Sequence, residues 1–91
     1  MSYQKYINYI AGIRTSTDPN RNIIHHIKPR AFQGTDDPDN LVLVTAWEHV
    51  CAHRLIVLSL PIGSKARQQM IFALKNCFSS LMKELYKKDI Y

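Results

Sequence analysis

The 91-residue chain has two cysteines, three glycines, one tryptophan and no long apolar run. Cys51 and Cys77 form no C-x-x-C pair, which excludes a zinc ribbon or a disulfide framework and leaves buried free thiols as their ordinary state. The longest apolar stretch, Leu55 to Leu58 extended past Ser59 to Leu60, falls far short of the roughly 20 residues that cross a bilayer. The first residues also lack the apolar core of a secretory signal, so a cytoplasmic protein without membrane association is expected. A chain this short holds about one domain's worth of residues, so a single domain spanning residues 1–91 is expected and a two-domain enzyme is excluded.

What is present suits a folded domain: 46% apolar and 21% charged residues exclude disorder and low complexity. The net charge of +5 is unevenly placed. Residues 1–63 carry six basic and five acidic side chains, whereas residues 64–91 carry six and two. The C-terminal end is therefore either a solvated basic helix or a surface for a polyanion.

Tyr3, Tyr6, Ile7, Ile10 and Ile13 recur at spacings of three and four, one face of a helix within residues 1–14 that Ser2 could cap. Residues 14–22 read as a polar loop. Asn22 to Ile27 is a short β-branched run stopped by Pro29, and Leu41 to Val44 is a second one. The intervening PRAFQGTDDPDN is rich in turn formers, so the two strands should pair as an antiparallel ribbon. Thr45 and Glu48 form a capping-box pattern, predicting a helix from Ala46 to about Ser59 that packs through Trp47, Val50, Leu55 and Leu58. A longer helix over 64–88 carries the stripe Met70, Ile71, Leu74, Cys77, Phe78, Leu81, Met82 and Leu85, either core or the seam of a homodimer. Met70, Ile71, Leu74, Phe78 and Leu81 should pack against the rest of the fold or a second copy. The fold class is α+β: a two-stranded ribbon and a helix, flanked by an N-terminal and a longer C-terminal helix.

Every histidine lies between positions 25 and 53. His49 and His53 are four apart on a predicted helix, which places both on one face a turn apart, as two imidazoles chelating one ion require. His25 and His26 are neighbours on a strand, so their side chains leave in different directions and divide into one ligand and one base. Three neutral imidazoles suit zinc and neighbouring transition metals, and a position left open makes such a site catalytic in type. Asp36, Asp37 and Asp39 could bind a hard cation, but they also form turns.

HHIKPR followed by GTDDPDNLVLVTAWEHVCAH resembles the HNH endonucleases, whose ββα-metal site is a ribbon and a helix around one divalent ion. The likeness is greatest to small phage-type members, with an N-terminal helix, HHI-P, NLV, T--EH---H and a following amphipathic helix, and it covers about residues 3–82. The ββα core would span residues 22–60. The resemblance implies His25, His49 and His53 as ligands of one divalent metal (zinc, magnesium, manganese or nickel). It implies His26 as general base and Asn40 as the residue holding the loop that aims it. It also implies double-stranded DNA as substrate, products with 5′ phosphate and 3′ hydroxyl, and, for a phage-encoded protein, action in the host cytoplasm. Lys28, Arg30, Arg54, Lys75 and Lys83 are the candidate DNA contacts. Trp47 stands where the phage-type pattern usually has a basic residue, which removes one phosphate contact. The rival is a non-catalytic nucleic-acid-binding module with a structural zinc, a site that normally needs four protein ligands where only three histidines present themselves and no cysteine is expected nearby.

Overall fold

The computed structural model describes residues 2–89, with side chains as far as residue 83. Helix α1 (Tyr3–Arg14) leads into strand β1 (Ile23–His26). Short 3-10 turns at Arg30–Phe32 and Pro38–Asn40 lead to strand β2 (Leu41–Val44), and helices α2 (Ala46–Ser59) and α3 (Lys65–Asp89) follow. The two strands pair antiparallel, with Ile23 opposite Val44 and His26 opposite Leu41. The expected α+β arrangement of ribbon, helix and two flanking helices is therefore present. No helix among the described residues is long and apolar enough to cross a membrane.

Three local signals set these elements. Thr45 Oγ1 accepts the Glu48 N–H at 3.0 Å while a Glu48 carboxylate oxygen accepts the Thr45 N–H at 2.9 Å, so the capping box forms and fixes where α2 begins. Gly34 lies against the Lys28 backbone so closely that a β-carbon would collide with the Lys28 carbonyl oxygen, and only glycine lets the connection fold back there. Gly63, at φ +81°, supplies the left-handed turn between α2 and α3. Ser2 stands at the N-cap of α1 but makes no side-chain capping bond; it is exposed, and water can serve the free N–H groups instead.

Helix α2 is the hub, packing against α1 on one side and α3 on the other. Tyr6, Ile10 and Ile13 of α1 meet Val44, Ala52, Ile56, Val57 and Met70 in the main core. A smaller cluster joins Ala46, Val50 and Leu81.

Two packing expectations need correction. Trp47 is 62% exposed, because the face of α2 that meets its neighbours runs through Ala46, Val50, Ala52, Ile56 and Val57. The stripe on α3 is also wider than its contact: Met70 and Leu81 are buried, Leu74 and Cys77 half-buried, while Ile71, Phe78 and Met82 stay exposed. With α2 as its principal neighbour, α3 has only a narrow strip covered. Leu85 lies outside the described side chains.

Candidate metal centre

His25 is one of the least exposed side chains of the protein, at 1%, since strand alternation turns it inward towards α2 while Ile24 faces out. One helical turn apart on α2, His49 and His53 bring their Nε2 atoms to 3.2 Å. The three rings pack edge to face with centroids 4.7 to 5.2 Å apart. One potential ligand atom from each lies within 4.8 Å of the others, the one such group of histidine, cysteine or carboxylate side chains among the described residues.

Burial makes these rings good ligands. It pushes His25 down to about 3, helped by the neighbouring His53, His49 and His26, and it pushes His53 down to about 4, helped by His49. His49 is lowered by burial as well. All three are therefore neutral near neutral pH, the state that coordination requires. The Nε2 separation of 3.2 Å is close to the roughly 3.3 Å between two nitrogens bound at 2.0–2.1 Å to one tetrahedral ion. The residues present thus fit a metal.

A residue that spacing did not reveal orients the first ligand. Tyr6 of α1 donates its hydroxyl proton to the Ile27 carbonyl at 2.7 Å and lies 2.7 Å from His25 Nε2. Its single proton being used, Tyr6 must accept from His25, which puts the ring proton on Nε2 and leaves Nδ1 bare for an ion. His53 Nδ1, by contrast, is buried without a partner among the described residues.

Cys77 of α3 lies with Sγ 3.7 Å from His49 Nε2, correcting the expectation that no cysteine comes near. The thiol is not part of the convergent group, and burial raises its pKa, which disfavours the thiolate that a metal would need. Glu48 is turned away from the trio: Arg21 grips both of its oxygens at 2.8 and 2.9 Å and ties the loop after α1 to the start of α2. In the sequence Arg21 stands only within a polar loop, since its partner is 27 positions away.

His26 lines the same cleft of about 490 Å³ as the trio, roomy enough for a phosphodiester and its neighbouring sugars. Its Nε2 lies 2.7 Å from Asp36 Oδ1. Asn40 staples the connection between the strands, its Oδ1 accepting the Lys28 N–H at 2.8 Å and its Nδ2 donating to the Lys28 and Thr35 carbonyls at 3.1 and 2.8 Å.

The candidate DNA contacts separate. Arg30 lines the histidine cleft, but Asp36 already holds its guanidinium at 2.9 and 3.1 Å. Lys28 and Lys83 are exposed. Arg54 and Lys75 line a different, apolar groove between α2 and α3, with Trp47, Ile71 and Phe78. The far wall of the histidine cleft is instead built by Gln69, Phe72 and Asn76 of α3, and Phe72 is 67% exposed. The sequence showed Phe72 only as a residue off the apolar stripe.

A ribbon and a helix that converge three imidazoles beside a fourth histidine define a ββα fold with a candidate metal centre. Residues 12–53 match the family model described as HNH endonuclease. The chain is 38% identical over 66 residues to probable mobile endonuclease E of Enterobacteria phage T4, covering 70% of this chain and 47% of that protein. It is 39% identical to probable mobile endonuclease B of the same phage over 71% of this chain and 32% of that one. A shorter segment of 32 residues is 59% identical to probable mobile endonuclease D. The chain is similar to small phage-type members of the HNH endonuclease family over its ribbon and second helix, and it spans about half or less of the length of these curated relatives. No solved structure matches it.

Proposed function

We propose that this chain is a metal-dependent endonuclease that hydrolyses phosphodiester bonds of double-stranded DNA. The observation that carries this reading is the shared cleft: three neutral imidazoles converge at its floor, and His26 lines it without belonging to their group. A divalent ion held by His25, His49 and His53 would neutralise charge on the phosphate and on the departing oxygen, and three nitrogen donors favour zinc or nickel over magnesium or manganese.

His26 is the general base. Its free ring nitrogen takes a proton from water as the water oxygen bonds to phosphorus; the P–O3′ bond breaks, leaving a 5′ phosphate and a 3′ hydroxyl once solvent protonates the departing oxygen. Asn40 serves by holding the loop beside His26. Lys28 and Arg30 contact the phosphates nearest the cleft, and Arg54, Lys75 and Lys83 contact the backbone further along.

Supercoiled plasmid incubated with the protein should turn into nicked and linear forms only when a divalent metal is present, and His26→Ala should stop the reaction. Binding without cleavage under every metal would instead favour the non-catalytic module with a structural zinc. One observation bears on that second reading, the approach of Cys77 to His49. Cys77→Ala should leave metal affinity unchanged if the site is catalytic, and should cost it heavily if Cys77 closes a structural site.

A further inference from the structure

Asp36 has contacts that the proposed mechanism does not use. Its Oδ1 lies 2.7 Å from His26 Nε2, while Arg30 Nη2 bonds both carboxylate oxygens at 3.1 and 2.9 Å. Both partners lower its pKa, His26 first and Arg30 second, so it is an anion throughout the working range.

The backbone beneath Asp36 is also fixed. Asn40 binds the carbonyl of its neighbour Thr35 at 2.8 Å, and Gly34 N–H reaches the Pro29 carbonyl at 3.0 Å. The side chain of His26 is 25% exposed, so burial alone does not lock its ring.

We propose that Asp36 is a positioning residue for His26, with Arg30 as the clamp that holds Asp36 in place. An ionised carboxylate can only accept, so the contact requires the proton of the neutral ring to sit on Nε2. The bare nitrogen is then Nδ1, the one that must receive the proton of the attacking water. The same hydrogen bond fixes the rotation of the ring about its Cβ–Cγ bond, so Nδ1 points one way rather than two. Asn40 acts on the base through this route: it ties Thr35, Thr35 carries Asp36, and Asp36 holds the ring. The inference rests on His26 being the base.

The test uses the full chain, with and without zinc. Long-range proton–nitrogen NMR of the His26 ring should show the Nε2–H tautomer in the wild type and a mixture of tautomers in Asp36→Ala. In single-turnover cleavage of plasmid at saturating protein, Asp36→Ala should lower the rate constant about 10- to 100-fold, the usual effect of losing an orienting partner, with zinc affinity within about twofold. Asp36→Asn replaces one acceptor oxygen by an N–H donor. Arg30 can only donate and takes the remaining oxygen, so the amide donates to His26 Nε2 and should favour the Nδ1–H tautomer, with cleavage at least as slow as in Asp36→Ala. An unchanged tautomer in Asp36→Ala, or an unchanged rate, overturns the proposal and reduces the contact to a surface ion pair. An Asn variant that keeps the wild-type tautomer and rate overturns it too. Full cleavage by His26→Ala would overturn the general-base reading instead, and that outcome is separable because the tautomer reports on Asp36 without any turnover.

Discussion

Tyr6 and the four histidines divide their work so that each can be tested singly. Tyr6→Phe removes a hydroxyl that serves both His25 Nε2 and the Ile27 carbonyl, leaving one buried and one partly buried polar group without that partner. We expect a loss of about 1–3 kcal/mol in urea unfolding and a metal affinity roughly tenfold weaker by calorimetry. His53→Ala should weaken metal binding outright, whereas His26→Ala should keep it nearly intact and lose cleavage, because a base acts in the transition state and need not hold the ion. Equal loss of metal in the two variants would remove His26 from its role. The metal-free protein should also respond to acid in a set direction. Unfolded histidines take up protons below 6.5, while His25 and His53 in the fold wait until about 3 and about 4. The unfolded state therefore binds more protons in that window, so stability is complete above it and falls as pH drops from 6.5 towards 4. Urea midpoints measured at about pH 7.5 and about pH 5 should differ accordingly, and equal midpoints would contradict the buried neutral trio. Histidine spacing made His49 and His53 legible in the sequence, since i and i+4 on a helix is a local rule, whereas the choice of His25 over His26 as their companion came from the family resemblance. Tyr6 was not legible, because its partner is 19 residues away and only tertiary packing brings them together.

Helix α2 announced itself through Thr45 and Glu48, a pattern read within four residues, and it starts and ends where the sequence said. Thr45→Ala should cost about 0.5–2 kcal/mol, and the loss should come with a frayed first turn that loosens His49, measurable as faster hydrogen exchange at Glu48 and His49. The strands were legible as short β-branched runs, but the connection between them was not. Its turn residues said where the chain bends, whereas the aim of Asp36 at His26 depends on Gly34 lying against Lys28 and on Asn40 bridging both sides. Helix α3 was legible as a helix and misleading as a surface, since apolar spacing cannot say how much of a stripe a neighbour covers. Its two solvent-facing sides should behave differently towards DNA. Lys75 and Lys83 neutralise phosphates in the proposed complex, so replacing both by Gln should make the plot of log affinity against log salt shallower by roughly two units. Phe72 carries no charge and lines the histidine cleft. Phe72→Ala should weaken binding with the salt slope unchanged, and a shift in slope would mean that α3 docks by another face.

Taken as one body, the chain is small, and the histidine centre reaches most of its elements. His25 comes from β1, His49 and His53 from α2, Tyr6 from α1 bonds the first ligand, and Cys77 from α3 lies against the second. An ion bound there is therefore a crosslink between parts that otherwise cohere through a core of few large side chains, Tyr6, Ile56 and Val44 among them. A chain of this size buries a smaller share of its surface than a larger domain does, so a bound ion matters more to its stability. Because the unfolded chain holds no preformed site, binding free energy enters the stability directly, by about 2.7 kcal/mol when free metal stands at 100 times its dissociation constant. For a domain of 60–100 residues each kcal/mol moves the melting temperature by about 4–8 °C, so chelation should lower it by roughly 10–20 °C. The drop should be reversed by zinc or nickel, should be nearly absent in His53→Ala, and should persist in His26→Ala and Cys77→Ala. The outcome that would count against this coupling is a chelated wild type melting where the loaded protein does, for then the three imidazoles would be packed for their own sake and the cleft would have no ion to work with.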